Sequence, residues 1–192
     1  MERSDRELVR DARHGDKEAF RELVERYQRK VLSVALGMVH NQEDALEITQ
    51  ETFIKAYENL NKFKGESSFY TWLYRIVVNR AIDFRRRERR HPTVALEDRA
   101  GTGNAGEGYE DTLKEERLPD PDREAQAHEI GDRVSEAINE LTPDHKAVIL
   151  LREVEGLSYE EISRVMQCSK GTVMSRLHYA RKKLQKKLKD LV

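Results

Sequence analysis

Residues 157–184 read LSYEEISRVMQCSKGTVMSRLHYARKKL, and this stretch decides the fold of the C-terminal part of the chain. Ser158 and Glu161 have capping-box spacing, which predicts a short helix through Met166. After a tight break, Ser169 is placed to cap a longer basic helix. A short helix, a break and a basic second helix are typical of a helix-turn-helix, so the stretch predicts a module that binds duplex DNA.

The second helix of this motif is strongly basic. Between Ser169 and Lys189 the chain has eight lysines or arginines and no acidic residue. Such a surface attracts phosphates, and the first turns of a recognition helix point toward base edges in the major groove. An ordinary solvated lysine face is the alternative interpretation. The residues predicted to contact duplex DNA are Lys170, Gly171, Thr172, Val173, Ser175, Arg176, His178, Tyr179 and Arg181.

Upstream of this motif, the pattern predicts two further helices and a linker. Apolar residues recur at helical spacing from Ile130 to Leu141, and Thr142 with Pro143 predicts a helix start, with Gly156 ending that helix. Residues 97–129 instead have eleven acidic against four basic residues and almost no apolar periodicity. This composition favours a flexible linker over 93–128, between a domain at 1–92 and a domain at 129–192. Such a linker would let the two domains move independently. An acidic mimic of a nucleic-acid strand, occupying a basic channel, is the alternative.

The N-terminal domain also has helical periodicity. A first long helix is predicted around Phe20 to Val31, and a second runs from about Asp44 to Leu60 with an apolar strip through Leu46, Phe53, Tyr57 and Leu60. Ser67 or Ser68 is placed to cap a third helix, which ends in an arginine cluster before Pro92. The chain is therefore expected to be all-α, with two small helical domains.

Aromatic and basic residues alternate along the third helix and the loop before it. Aromatic faces beside cations suit unstacked bases, and a flipped base needs a polar reader such as Asn79. By periodicity alone each aromatic residue favours a core position, although Phe63 and Tyr70 are the better contact candidates because they are placed near the loop. The residues predicted to bind single-stranded DNA are Phe63, Tyr70, Trp72, Arg75, Asn79, Arg80, Arg85 and Arg86.

Composition argues against several other functional classes. The net charge is −1, but acidic and basic residues are segregated along the chain, which leaves local basic surfaces for nucleic acid. Cys168 is the only cysteine, and the six histidines lack metal-ligand spacing, so neither a disulfide nor a metal is expected. No phosphate loop or nucleophile elbow is present, so we expect no cofactor and no enzymatic activity. No leader and no apolar run near 18 residues is present, which predicts a cytoplasmic protein without direct membrane insertion.

Two stretches of the chain resemble a known family. The run FKGESSFYTWLYRIVVN at 63–79 resembles the promoter-melting region of extracytoplasmic-function sigma factors, and DALEITQETFIKAY at 44–57 is similar to their polymerase-binding helix. The stretch at 157–184 is similar to their reader of the upstream promoter element. The chain departs from the usual family pattern at Met174 and Tyr179, where basic residues are common, and at Gln167, where glycine is usual.

The resemblance implies partners for each domain. The N-terminal domain would bind the clamp helices of the largest polymerase subunit and open the minus-ten element. The C-terminal domain would bind the flap of the second-largest subunit and read the minus-thirty-five element as duplex. An anti-sigma factor, often membrane-anchored in this family, is implied as a regulator. The implied polymerase contacts are Asp44, Glu47, Gln50, Glu51 and Phe53.

Two other functions remain open from the sequence. A free-standing helix-turn-helix regulator would explain only the last third of the chain, and it predicts tight binding of the isolated protein to duplex DNA. A helical protein-protein adaptor would make the basic surface incidental. Association with core polymerase distinguishes the sigma factor from both.

Overall fold

A computed structural model describes residues 3–39, 41–90 and 121–191 of the chain, with the side chains at 89–90, 121–128 and 191 left undescribed. Within these residues every regular element is a helix, which confirms the all-α prediction. The α-helices are α1 (Asp5–Arg13), α2 (Lys17–Met38), α3 (Gln42–Glu58), α4 (Phe69–Arg90), α5 (Pro121–Asn139), α6 (Pro143–Ile149), α7 (Tyr159–Met166) and α8 (Lys170–Lys187). Short 3₁₀ turns cover Leu60–Lys62 and Lys189–Leu191, and a π-helical turn, Leu150–Val154, continues α6.

The N-terminal domain consists of α1 to α4. Side chains of Ser4, Asp16 and Asn41 cap α1, α2 and α3 by accepting hydrogen bonds from backbone N–H groups of the first turn. Helix α2 packs against α1, α3 and α4, and apolar residues such as Leu23 and Leu73 are completely buried there. Burial of each such side chain stabilises the fold by about 1.5–3 kcal/mol.

The C-terminal domain contains the expected helix-turn-helix. Ser158 and Glu161 form the predicted capping box at the start of α7, and Ser169 caps α8 through the backbone N–H of Thr172. Helix α8 packs on α6 and α7, and α7 also packs on the π-helical turn, so the second helix of the motif has one buried and one exposed side. Between them Gln167 has φ +50°, in the left-handed region.

The start of the C-terminal domain differs from the sequence prediction. Helix α5 begins at Pro121, inside the stretch 93–128 that composition assigned to a linker. Proline suits the first turn of a helix, and Glu124, Ala125 and Ala127 after it are good helix formers. Acidic composition therefore concealed a helix start, while the remainder of the predicted linker, 93–120, lies outside the described residues.

The two domains contact each other. Helix α4 packs against α7 and α6, and α2 packs against α6 and the π-helical turn. Gly37 of α2 lies so close to Leu150 that a Cβ at position 37 would be 2.7 Å from both terminal methyl carbons of Leu150. This docked arrangement differs from the independent domains that the linker composition predicted.

Candidate nucleic-acid interface

One side of α4 presents a set of residues suited to single-stranded DNA. Trp72, Arg75, Asn79 and Arg86 lie on the same side by helical spacing. Asn79 and Arg86 are exposed, whereas Trp72 and Arg75 are half-buried. An amide able to donate and accept hydrogen bonds therefore lies between an aromatic ring and cations, which is the arrangement that a captured base requires.

Phe63 is buried, in contrast to the expectation for a loop aromatic. Only 9% of its surface is exposed, and its ring centroid lies 5.2 Å from that of Trp72 and 6.0 Å from that of Phe69. The Arg13 guanidinium lies 6.0 Å from the ring centroid on another side. Phe63 therefore packs among residues of its own domain, and little of its ring is open to a base.

Tyr70 lies on the opposite side of α4 from Asn79. Its hydroxyl donates a hydrogen bond to the Glu161 carboxylate in α7, and this bond raises the pKa of Tyr70. Tyr74, one turn further along α4, donates similarly to Glu155. The structure therefore places Tyr70 in the contact between domains and does not bring it together with Asn79.

The arginines of α4 are paired to different degrees. Arg80 is bound to Glu51 of α3, with 2.9 Å between Nη2 and Oε2, and Arg85 is bound to Glu88 at 3.1 Å. Arg86 is highly exposed and lies 3.8 Å from Asp83. Arg86 is therefore better placed to reach a phosphate than Arg80 or Arg85, which are less exposed and lie closer to their carboxylate partners.

The predicted DNA contacts on α8 differ in how far their side chains are exposed. Val173 is completely buried, so its side chain anchors the helix in the core and cannot contact DNA in this arrangement. Thr172 is half-buried, with its hydroxyl 2.9 Å from that of Ser169. The exposed members of the predicted set are Lys170, Gly171, Ser175, His178, Tyr179 and Arg181, whereas Arg176 is half-buried.

Three cations of α8 have carboxylate partners on neighbouring elements. Lys170 donates to Glu160 of α7, which lowers the pKa of that carboxyl group. The Arg176 guanidinium lies 3.1 Å from Asp144, at the start of α6. Arg181 donates to Glu153 at 2.6 Å, and this bond raises the pKa of Arg181. These ion pairs join α8 to the rest of its domain. To contact a phosphate, each cation would have to leave or share its carboxylate partner.

Helix α3 has an exposed apolar surface that periodicity did not distinguish from core. Glu47 and Gln50 are exposed, and Asp44 is half-buried. Glu51 is half-buried against Arg80, and Phe53 is 8% exposed. About half of the surface of each of three neighbouring side chains is open to solvent, namely Leu46, Ile54 and Tyr57.

These three apolar residues border a groove between α2 and α3. Phe20 and Val24 of α2 form the other side, and the rings of Phe20 and Tyr57 meet with centroids 4.9 Å apart. The sequence contained a signal for this groove, because α3 has apolar residues on two sides. Ile48 lies on the side that is fully buried, and the three groove residues lie on another. Leu46 and Tyr57 were instead assigned to one apolar strip with the buried Phe53.

Within 3–39, 41–90 and 121–191, no cluster of three or more histidine, cysteine, aspartate or glutamate side chains is arranged to hold a metal ion. The helices in these same ranges include none with the length and apolar character needed to cross a membrane.

Comparison with known proteins identifies the family. Residues 23–91 match Sigma-70 region 2, and residues 131–184 match Sigma-70, region 4. The RNA polymerase sigma-H factor of Pseudomonas aeruginosa is 40% identical over 188 residues, covering 98% of this chain and 95% of that protein. The ECF RNA polymerase sigma-E factor of Escherichia coli is 40% identical over 189 residues, covering 98% and 96%. The chain belongs to the extracytoplasmic-function sigma factors.

Solved structures of sigma factors have similar architecture. CnrH in complex with the cytosolic domain of CnrY superposes with a TM-score of 0.69 at 25% identity, covering 97% of both chains. The sigma factor RpoE of Bartonella quintana, solved with the anti-sigma factor NepR, gives a TM-score of 0.62 at 22% identity, covering 88% of this chain and 96% of that one. The sigma factor described here therefore shares the two-domain helical fold of both proteins.

Proposed function

We propose that this sigma factor binds core RNA polymerase and directs it to promoters by dividing the work among three surfaces. The exposed side of α4 captures a melted strand, the exposed side of α8 reads duplex DNA, and the groove between α2 and α3 binds polymerase. The observation that carries the proposal is that these surfaces lie on different helices and differ in chemistry. A free-standing regulator would need only α8.

The proposed strand-binding surface consists of Trp72, Arg75, Asn79 and Arg86. Asn79 is exposed and can read the hydrogen-bonding edge of an unpaired base, while the half-buried Trp72 offers an aromatic edge beside it. Arg86 is placed to contact a phosphate. Because these groups act on unstacked bases, they stabilise the melted minus-ten element and drive opening through binding energy.

The proposed polymerase-binding surface combines the apolar groove of α3 with the polar residues around it. Leu46, Ile54 and Tyr57 expose a contiguous apolar surface, and Gln50 lies among them. An exposed apolar surface with a polar rim is typical of a protein interface. We assign this surface to the clamp helices of the largest subunit, and we assign to the C-terminal domain a contact with the flap of the second-largest subunit.

An anti-sigma factor is the proposed regulator. CnrH, which is 25% identical over nearly all of its length, was solved with the cytosolic domain of CnrY. Exposed apolar side chains at the α2 and α3 groove would suit an inhibitor that competes with polymerase. A membrane-anchored inhibitor of this kind would hold the sigma factor at the membrane without any insertion of its own chain.

Reconstitution with purified core polymerase tests the proposal. We expect the full chain to bind core polymerase and to support initiation from a promoter selected by the resulting holoenzyme, whereas core polymerase alone initiates poorly there. The free protein should bind the same duplex much more weakly than the holoenzyme does. Tight, sequence-specific duplex binding by the free protein without any core association would instead favour a free-standing regulator.

A further inference from the structure

An apolar and aromatic surface lies on the first three turns of α8. Met174 has 56% of its surface exposed and Tyr179 has 61%. Ser175 and His178 are exposed between them, and the rings of His178 and Tyr179 meet edge to face with centroids 5.6 Å apart. Burial of Leu177 fixes the rotation of the helix, so these four side chains point away from the core. We name Met174, Ser175, His178 and Tyr179 the recognition surface.

The charges around the recognition surface favour DNA as its occupant. Lys182 and Lys186 follow Ser175 at helical spacings that place them on the same side, both are exposed, and neither forms an ion pair within the described ranges. Two unpaired lysines beyond an apolar surface suit the phosphates of a DNA backbone. An apolar partner helix would gain little from them.

The chemistry at the centre of the surface differs from that of a charged base reader. The nearby cations Lys170, Arg176 and Arg181 are already bound to carboxylates of their own domain. Met174 is the exposed side chain closest to the helix start that is both long and uncharged, and it has no strong hydrogen-bonding group. It can therefore discriminate bases only through apolar contact.

We propose that Met174 reads a thymine in the upstream promoter element through contact with the thymine 5-methyl group, an inference that rests on the proposed function. Thymine alone presents a methyl group in the major groove. The flexible, polarisable thioether of methionine packs well against such a group. Ser175 and His178 supply hydrogen bonds beside it, so the contact adds a preference for thymine at one position of the element.

Replacement of thymine by deoxyuridine tests this contact because it removes only the methyl group. Holoenzyme containing the full chain first selects its upstream element from randomised duplexes, and each thymine of that element is then replaced in turn. We expect one replacement to weaken holoenzyme binding about fourfold, the effect of exposing one buried methyl group. Replacements elsewhere should have smaller effects.

Two variants of Met174 provide the matched comparison. Met174→Leu keeps an apolar side chain, so it should retain the deoxyuridine effect at the same position. Met174→Gln has a similar length but a polar end, so thymine and deoxyuridine should bind it equally well there. Because Met174 is exposed, both variants should keep the unfolding temperature of the parent.

Several results would overturn the inference. A selected element without thymine would do so directly, as would an equal deoxyuridine effect in the parent and Met174→Gln holoenzymes. Loss of core binding in Met174→Gln, with DNA preference unchanged, would show that the recognition surface contacts polymerase instead. If the parent chain does not bind core polymerase at all, the proposed function itself is wrong. That outcome is seen before any deoxyuridine experiment, so it is distinct from failure of the Met174 inference.

Discussion

The Tyr70 hydroxyl donates a hydrogen bond to the Glu161 carboxylate, joining α4 of the N-terminal domain to α7 of the helix-turn-helix. Tyr74 and Glu155 make a second bond of the same kind. The two promoter elements are centred roughly 25 base pairs apart by their names, or about 85 Å at 3.4 Å per base pair. Under the proposed function α4 captures the first element and α8 reads the second, so we expect the docked domains to separate in a promoter complex.

Gly37 provides a test of the docked arrangement. We expect Gly37→Leu to separate the domains, because its Cβ would lie 2.7 Å from the Leu150 methyl carbons and the rest of the new side chain would need further space. Small-angle scattering should then give a larger radius of gyration. Leucine has a higher helix propensity than glycine, so helix α2 of the N-terminal domain should remain folded. Gly131→Leu, in open space on α5, is the control and should leave the radius unchanged. An unchanged radius in Gly37→Leu would contradict the docked arrangement.

Local signals predicted the caps of this protein, whereas long-range contacts were beyond them. Ser158, Ser169 and Thr142 cap helices as expected because a cap depends on residues three positions away. The contact of Tyr70 with Glu161 joins residues 91 positions apart, and no periodicity specifies it. The same limit explains why the sequence did not show that three predicted DNA contacts of α8, Lys170, Arg176 and Arg181, are paired with carboxylates.

The exposed apolar groove of α3 should contribute to polymerase binding. We expect Leu46→Gln and Ile54→Gln to weaken core binding by about fivefold or more each, as residues central to an interface do. Both side chains are half-exposed, so the free energy of unfolding should change little. Lys30→Ala, exposed on α2 and outside the groove, is the matched control in a fluorescence competition assay. Equal core affinity for all three variants would exclude this surface from the interface.

Asn79 should act only after the promoter has opened. We expect Asn79→Ala to leave closed-complex binding nearly intact and to reduce permanganate reactivity of the melted strand, because its amide meets only unpaired bases. A pre-melted template should restore part of the loss. Ser175→Ala on α8 is the comparison and should weaken duplex binding on both templates. Equal losses on both templates for the two variants would contradict the division between α4 and α8.

Gln167 occupies a backbone conformation that favours glycine. Its φ of +50° places it in the left-handed region at the end of α7, and it is exposed. We expect Gln167→Gly to raise the free energy of unfolding of the C-terminal domain by up to about 1 kcal/mol, measured by urea denaturation. Gly156→Ala, at φ +69°, should have the opposite sign. If Gln167→Gly lowers the free energy of unfolding, the glutamine side chain contributes more stability than the relief of backbone strain adds.

Lys146 should make the free energy of unfolding depend on pH in the alkaline range. Its side chain is 2% exposed in the C-terminal domain, and its ammonium donates to Asn139 Oδ1 at 2.9 Å. Burial lowers the pKa of Lys146 from 10.5 to about 8, and the positive charge of Arg85 acts in the same direction. The unfolded chain therefore binds this proton more tightly than the folded protein does.

The sign of the effect follows from that difference in pKa. Between pH 10.5 and about 8 the unfolded state holds more protons, so the contribution of Lys146 to stability falls as the pH is lowered through this window. Below about pH 8 the cost is constant and of the order of 3 kcal/mol. We expect Lys146→Met to increase the free energy of unfolding at pH 7 and to flatten its pH dependence across the window. Lys182→Met, exposed on α8, should preserve the parent slope. An identical slope in Lys146→Met and the parent, measured by urea denaturation at pH 7.5 and 10, would contradict the assignment.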